Sequence, residues 1–238
     1  MTATDLLIFD CDGVLIDSEP LASRVLWQAL RGAGADVSHQ EVWQRFTGFA
    51  EADAKKICRE AFDLRDTDQI FEGLRTALQE EFARALSPMP GMPDLVRSLS
   101  IRKCVASNSS FERLKNSLGL FDLWHEFSPY VFSGESVARP KPAPDLFLHC
   151  ADAFGLDPAR CLVIDDSPHG ILGGVAAGMR TIGFVDPSDP RPDRYGVLKD
   201  AGAEAVVTGA TGLKTALEGI LSGGHADGHP AQKRAVPA

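Results

Sequence analysis

FDCDGVLIDSE, residues 9–19, closes the short apolar run LLIFD (6–10) and decides how the rest of the chain is read. An apolar run this short, ending in carboxylates and a glycine, reads as a buried strand that stops at a turn. Asp10 and Asp12 lie two residues apart, so on a strand they share one face and point into one crevice. Ligands of open α/β sheets bind beyond the carboxyl ends of the strands, which is where these two side chains fall. Two close carboxylates repel each other unless a cation or a shared proton lies between them. An Asp-x-Asp turn is also common by chance, so this stretch alone leaves function open.

Working outward, five more runs have the same character: RKCVAS (102–107), YVFSG (130–134), CLVIDD (161–166), TIGFV (181–185) and AVVTG (205–209). Each is short, rich in β-branched or aromatic residues, and ends in small or polar ones. Helical patterns separate most of them, which implies parallel pairing through crossovers and a doubly wound, mainly parallel Rossmann-like α/β sheet. One stretch breaks the rhythm. Residues 21–86 hold only helical patterns: Leu21, Val25, Ala29 and Leu30 on one face, then Ala54, Ile57, Cys58, Ala61 and Phe62, then Ile70, Leu74, Leu78 and Phe82 at a four-residue repeat. SPMPGMPD (87–94) reads as a proline-rich return linker. The expected organisation is a core of residues 1–17 and 87–221, an inserted α-helical cap of residues 18–86, and a disordered tail of residues 222–238. His225 and His229 in that tail are read as solvated.

Composition narrows the function classes. The chain has 238 residues, 44% of them hydrophobic, and a net charge of −9. That balance argues against nucleic acid or an anionic membrane as partner, since both are polyanions. The five cysteines are scattered, with no pair at zinc-knuckle or redox spacing. They are expected to be reduced thiols in a cytoplasmic protein. The N-terminus lacks a basic segment, its apolar run is cut by Asp10, and no stretch reaches the length of a membrane span. Nothing in the pattern asks for an obligate dimer, so a monomer is expected.

Three further constellations carry chemistry. CLVIDDSPHGI (161–171) repeats the architecture of the first, with Asp165 and Asp166 at a strand end, Ser167 as helix cap and Pro168 at the first helical position. Ser167 already supplies the cap, which leaves at least one aspartate over. Four carboxylates at two strand ends form the hard, oxygen-rich site that Mg²⁺ prefers. SNSS (107–110) offers a hydroxyl and backbone N–H groups at a strand-to-helix junction, an anion cradle. In RPKPAPDLF (139–147), Pro140 and Pro142 hold Lys141 in an extended loop, and Pro144 and Asp145 suit the first turn of the next helix.

Taken in order, FDCDGVLIDSE, SNSS, KPAPDLF and VIDDSPHGI resemble the four motifs of the haloacid-dehalogenase-like phosphohydrolase superfamily. The resemblance covers roughly residues 5–210, including the helical insertion, which is similar to the family's small cap. The group most resembled is the β-phosphoglucomutase and sugar-phosphatase subfamily, which includes 6-phosphogluconate phosphatases. The resemblance implies an Mg²⁺-dependent phosphatase for a small phosphorylated sugar or polyol, for example one like 6-phosphogluconate. It implies Asp10 as the nucleophile that forms an aspartyl-phosphate and Asp12 as general acid and base. Mg²⁺ would be held by Asp10, the carbonyl of Asp12 and Asp166, with Asp165 in support, while Ser107, Asn108 and Lys141 hold phosphoryl oxygens. Cap residues Phe46, Thr47, Phe49, Glu51 and Lys55 would read the leaving group. Positions where family mutases carry a cap histidine and an arginine hold Ala22 and Glu51 here, which favours hydrolysis over a sugar phosphomutase. A receiver-like signalling domain and an idle phosphate-binding scaffold are the remaining alternatives. The first lacks a helical insertion, and the second is disfavoured because no motif residue is missing.

Overall fold

Every predicted strand forms, and all six join one parallel sheet. The computed structural model describes residues 3–47, 49 and 51–223. The strands are β1 (Leu6–Phe9), β2 (Arg102–Ser107), β3 (Val131–Ser133), β4 (Cys161–Asp165), β5 (Arg180–Val185) and β6 (Ala205–Thr208). Their order in the sheet is β3-β2-β1-β4-β5-β6, the doubly wound order, with β1 at the centre. The chain steps outward from β1 to β3 and then returns to lay β4 against the other side of β1. That reversal opens the crevice in which such sheets bind ligands.

Burial explains why β1 is apolar throughout. Leu7 and Phe9 face one layer, Leu6 and Ile8 the other, and all four are fully buried. The first layer consists of α5 (Met92–Ser98), α6 (Phe111–Gly119), α7 (Leu123–Phe127) and α11 (Gly209–Gly223). On the other face lies α8 (Asp145–Phe154). Beside it, α9 (Pro168–Ala176) and α10 (Arg194–Asp200) meet in a smaller cluster around Ile171 and Leu198. Each fully buried leucine or phenylalanine here contributes about 1.5–3 kcal/mol of transfer free energy. All five cysteines are free and buried, as core fillers.

Between β1 and α5 stand α1 (Glu19–Gly32), α2 (His39–Phe46), α3 (Glu51–Phe62) and α4 (Thr67–Ala85). They share an apolar cluster of their own, built on Leu26, Leu30, Val42, Phe46, Cys58 and Phe71. The start of α1 (Leu21) and the second half of α4 (Phe82, with half-buried Leu78 and with Leu86 beyond) join the sheet-side core. The two connecting segments run side by side: Asp17 N donates to Ser87 O at 2.9 Å and Met89 N to Leu15 O at 3.0 Å.

Four details differ from the sequence expectations. Ala61 is exposed, and on α4 the deepest apolar residue is Phe71 while Leu74 and Leu78 are only half-buried, α4 packing chiefly against α1 rather than into a layered core. The return linker is shorter than 87–94: α5 begins at Met92, and Pro93 sits in its first turn, where a missing N–H costs nothing. Pro144 is the cap of α8 and Asp145 its first residue, one position later than read. The predicted tail begins inside a helix, since α11 runs to Gly223, and residues 224–238 with His225 and His229 lie outside the described residues. Among the described residues no helix is long and apolar enough to cross a membrane.

Candidate active site

The carboxyl ends of β1, β2 and β4 bring three of the four motifs together, and the loop after β3 adds Lys141. Asp10 follows β1 directly, its N–H donating to Ile164 O of β4 at 2.9 Å. Asp165 ends β4 and Asp166 follows it. Ligand oxygens of Asp10, Asp165 and Asp166 all lie within 4.8 Å of one another. Lys141 Nζ reaches into this group, 2.9 Å from Asp10 and 2.7 Å from Asp165, with only 4% of its side chain exposed.

The electrostatics follow from burial with too few cations. Burial pushes the Asp10 carboxyl well above the usual range; Lys141 opposes this, while Asp165, Asp166 and Asp12 add to it. Asp166 is pushed up to about 7, by burial first and then by Glu19 and Asp165. Burial works to lower Lys141, but Asp10 and Asp165 outweigh it and hold the ammonium charged. The cluster thus gathers three buried carboxyl groups around a single ammonium, a surplus of hard oxygen ligands that a divalent cation such as Mg²⁺ fits.

Close packing keeps this geometry. Asp165 is fully buried and accepts from Ser167 N at 2.9 Å and Ser167 Oγ at 2.7 Å. Ser167 caps α9, accepting from Gly170 N at 3.1 Å, as the sequence implied. A Cβ on Gly170 would sit 1.8 Å from Asp165 Oδ2, so only glycine lets the carboxylate lie against the helix. Gly13, at φ +73°, likewise leaves room for Asp166: a Cβ there would stand 2.7 Å from Oδ2.

Asp12 stands apart from the cation cluster. Its side chain accepts from Ser18 Oγ at 2.6 Å, Ser109 Oγ at 2.7 Å and Arg113 Nη2 at 2.7 Å. Burial works to raise Asp12, but Arg113 and these hydrogen bonds outweigh it and hold the carboxyl below its usual range. Ser107, at the end of β2, is buried, and its hydroxyl accepts from Ser109 N at 3.1 Å. Asn108 binds the backbone of Lys141 at two points, 3.1 and 3.0 Å, so its amide fixes the lysine loop.

Glu51 lines the same cavity from the helical side, but its carboxylate is taken by Arg75 at 2.7 Å and Lys55 at 2.8 Å. Ala22, Phe46, Thr47 and Phe49 also line it; Lys55 is not among the lining residues. Phe49 meets His169 of α9 edge-on, ring centres 5.5 Å apart.

Sequence reasoning missed Arg113, Ser109, Ser18 and Glu19, and an arginine pair beyond them. Glu19 is pushed up to about 7 by burial and by Asp12. Arg191 lies 3.5 Å from Asp166 and 2.7 Å from Asp189, and Arg194 donates to the Asp166 carbonyl. Ser109 lay inside the SNSS motif and Glu19 inside FDCDGVLIDSE, which was signal enough to suspect both. A lone arginine three residues past a helix cap gives none.

With this geometry in view, comparison with known proteins is decisive for the family. Residues 4–178 match the haloacid dehalogenase-like hydrolase family, and the chain belongs to it. Among its relatives is the 6-phosphogluconate phosphatase of Escherichia coli K12, 30% identical over 199 residues, which span 79% of this chain and 86% of that protein. The hexitol phosphatase B of the same organism is 31% identical over 205 residues, 81% of this chain and 88% of its own. A solved haloacid dehalogenase-like protein of unknown function from Agrobacterium tumefaciens superposes with a TM-score of 0.83 at 35% identity, covering 92% of this chain and 99% of the other. The chain is therefore a hydrolase, as the motifs implied.

Proposed function

We propose that this hydrolase is a magnesium-dependent phosphatase that releases phosphate from a small phosphorylated sugar or polyol, with Asp10 as nucleophile. The observation that carries the reading is the cluster of Asp10, Asp165 and Asp166 around the buried Lys141 ammonium, at the switch point of the sheet. The names of the two Escherichia coli relatives support the substrate class.

Asp10 and Asp166, with the carbonyl of Asp12, would hold magnesium, and Asp165 would support them by holding Lys141. When bound, the ion supplies positive charge that lets an anionic nucleophile approach an anionic phosphate. Lys141 and Ser107 bind phosphoryl oxygens, where charge gathers in the transition state. An Asp10 oxygen forms a bond to phosphorus as the ester oxygen leaves, and the leaving oxygen takes a proton from Asp12. Water then attacks the aspartyl-phosphate, Asp12 takes its proton, and the Asp10–phosphorus bond breaks to free inorganic phosphate. The donors from Ser18, Ser109 and Arg113 suit the second half, in which Asp12 works as a carboxylate. Helices α1–α4 serve as a cap, residues 18–86, that excludes bulk water and holds the leaving group; their separate apolar cluster and paired connections support this.

The test is a screen of phosphorylated metabolites for phosphate release with and without Mg²⁺. A second arm gives glucose 1-phosphate with a trace of glucose 1,6-bisphosphate and follows glucose 6-phosphate separately. Isomerisation outpacing phosphate release would replace this reading with a phosphomutase.

A further inference from the structure

Beyond the carboxylate cluster, a cavity of about 1230 Å³ extends between α1–α4 and the strand ends. Its described lining carries seven carboxylates and three cations, Arg75, Arg113 and Lys141. Each of these cations already faces a carboxylate: Lys141 pairs with Asp10, Arg113 with Asp12, and Arg75 with Glu51. Lys141 and Arg113 belong to the end where phosphate reacts. Arg75 alone comes from the helical side, on α4, where the rest of a substrate would lie.

The Arg75 pair is two-pronged. Nε donates to Glu51 Oε2 at 3.1 Å and Nη2 to Oε1 at 2.7 Å, which occupies the guanidinium edge that would otherwise grip a carboxylate or a phosphate. Lys55, the other cation on Glu51, is held in turn by Asp68 at 2.7 Å. Arg75 lowers the Glu51 carboxyl, so the pair is fully ionised near neutral pH. Glu112 and Glu135 add carboxylates to the cavity lining from the sheet side. An anionic group on the leaving fragment would meet carboxylates there and, among the described lining residues, no Lys or Arg without a carboxylate partner, and an unpaired charge is a strong ground for rejection.

We propose that Glu51 is a specificity determinant: by closing Arg75 in an ion pair, it restricts the enzyme to phosphate esters of neutral sugars or polyols and excludes substrates that carry a second anionic group. This inference rests on the phosphatase reading above and narrows it away from sugar-acid phosphates such as 6-phosphogluconate.

A matched pair of substrates tests it. Sorbitol 6-phosphate and 6-phosphogluconate share a carbon chain and differ by a hydroxymethyl group against a carboxylate. Phosphate release from both is measured with Mg²⁺ for the wild type, Glu51→Gln, and Glu51→Gln combined with Arg75→Gln. The wild type should favour sorbitol 6-phosphate in kcat/KM by about tenfold or more, the usual worth of one charge-assisted contact. Glu51→Gln should shift that ratio toward 6-phosphogluconate by a similar factor, mainly through KM, and the double variant should lose the shift. Wild-type turnover of 6-phosphogluconate at equal or better efficiency would overturn the exclusion while leaving the phosphatase reading intact. An unchanged ratio in Glu51→Gln would remove Glu51 as its cause. Release from neither substrate, nor from any other monophosphate of the screen, would strike the phosphatase reading and this inference with it.

Discussion

Replacing Lys141 with methionine keeps most of the side-chain volume and removes the only ammonium in the carboxylate cluster. The side chain is 4% exposed and its two partners, Asp10 and Asp165, are 12% and 0% exposed, so water cannot stand in for the lost charge. Removing one partner of a buried ion pair costs about 3–5 kcal/mol. For a chain of this size that corresponds to a fall in Tm of about 6–20 °C. The loss should depend on pH. Asp10 is already raised by burial, and without Lys141 it rises further. A carboxyl raised in the folded state costs nothing below its unfolded value, costs progressively more as pH climbs from there to its folded value, and levels off above it. The Lys141→Met deficit should therefore be small near pH 4 and grow as pH rises toward neutral. The assay is denaturant unfolding with chelator present, wild type against variant, across that range. A deficit under about 1 kcal/mol at pH 7, or one that grows toward low pH, would refute the account of the cluster as buried carboxyl groups gathered around a single ammonium.

Other consequences are equally direct. Since Asp166 is pushed up to about 7, Mg²⁺ must displace a proton below that pH, and its affinity should rise about tenfold per unit up to neutrality for each proton released; titration calorimetry showing a flat profile would contradict this. In the same titrations Asp166→Ala should weaken Mg²⁺ more than Asp165→Ala. Gly170→Ala puts a methyl group 1.8 Å from Asp165 Oδ2 and should destabilise the fold by about 1–3 kcal/mol and reduce kcat; a normal melting curve with normal turnover would count against the packing argument. Arg113→Ala should raise the Asp12 carboxyl, moving the acidic limb of the kcat profile to higher pH, while Arg113→Lys restores it in part; an unmoved limb in both variants would remove Arg113 from the site.

How much of this was legible in the chain differs by element. The central strands β1 and β4 were readable because they are buried on both faces of a parallel sheet and are continuously apolar, a local signal that weakens toward the edge strand β6. The aspartates, Ser107 and Lys141 were readable because strand ends and prolines mark their positions. Helix α4 was readable as a helix but not in its depth: it packs chiefly against α1 across the bundle, and Phe71 lies deeper than Leu74 and Leu78. Arg113 and the Glu51–Arg75 pair were not readable at all. Arg113 reaches Asp12 across 101 residues and Arg75 reaches Glu51 across 24, from different helices. A charged residue on a helix is ordinarily solvated, and only the tertiary arrangement reveals which partner it meets.

The central claim is that Asp10 is the covalent nucleophile, and one comparison tests it most directly. Wild type and Asp10→Asn are assayed side by side with Mg²⁺ on whichever sugar or polyol monophosphate the screen identifies, and each quenched reaction is examined for a phosphoryl group on the Asp10 peptide. The account predicts phosphate release and a phosphorylated Asp10 in the wild type. It predicts neither in Asp10→Asn, which should still give a cooperative unfolding transition. Near-normal turnover by Asp10→Asn, or a phosphoryl group carried on another residue, would contradict it.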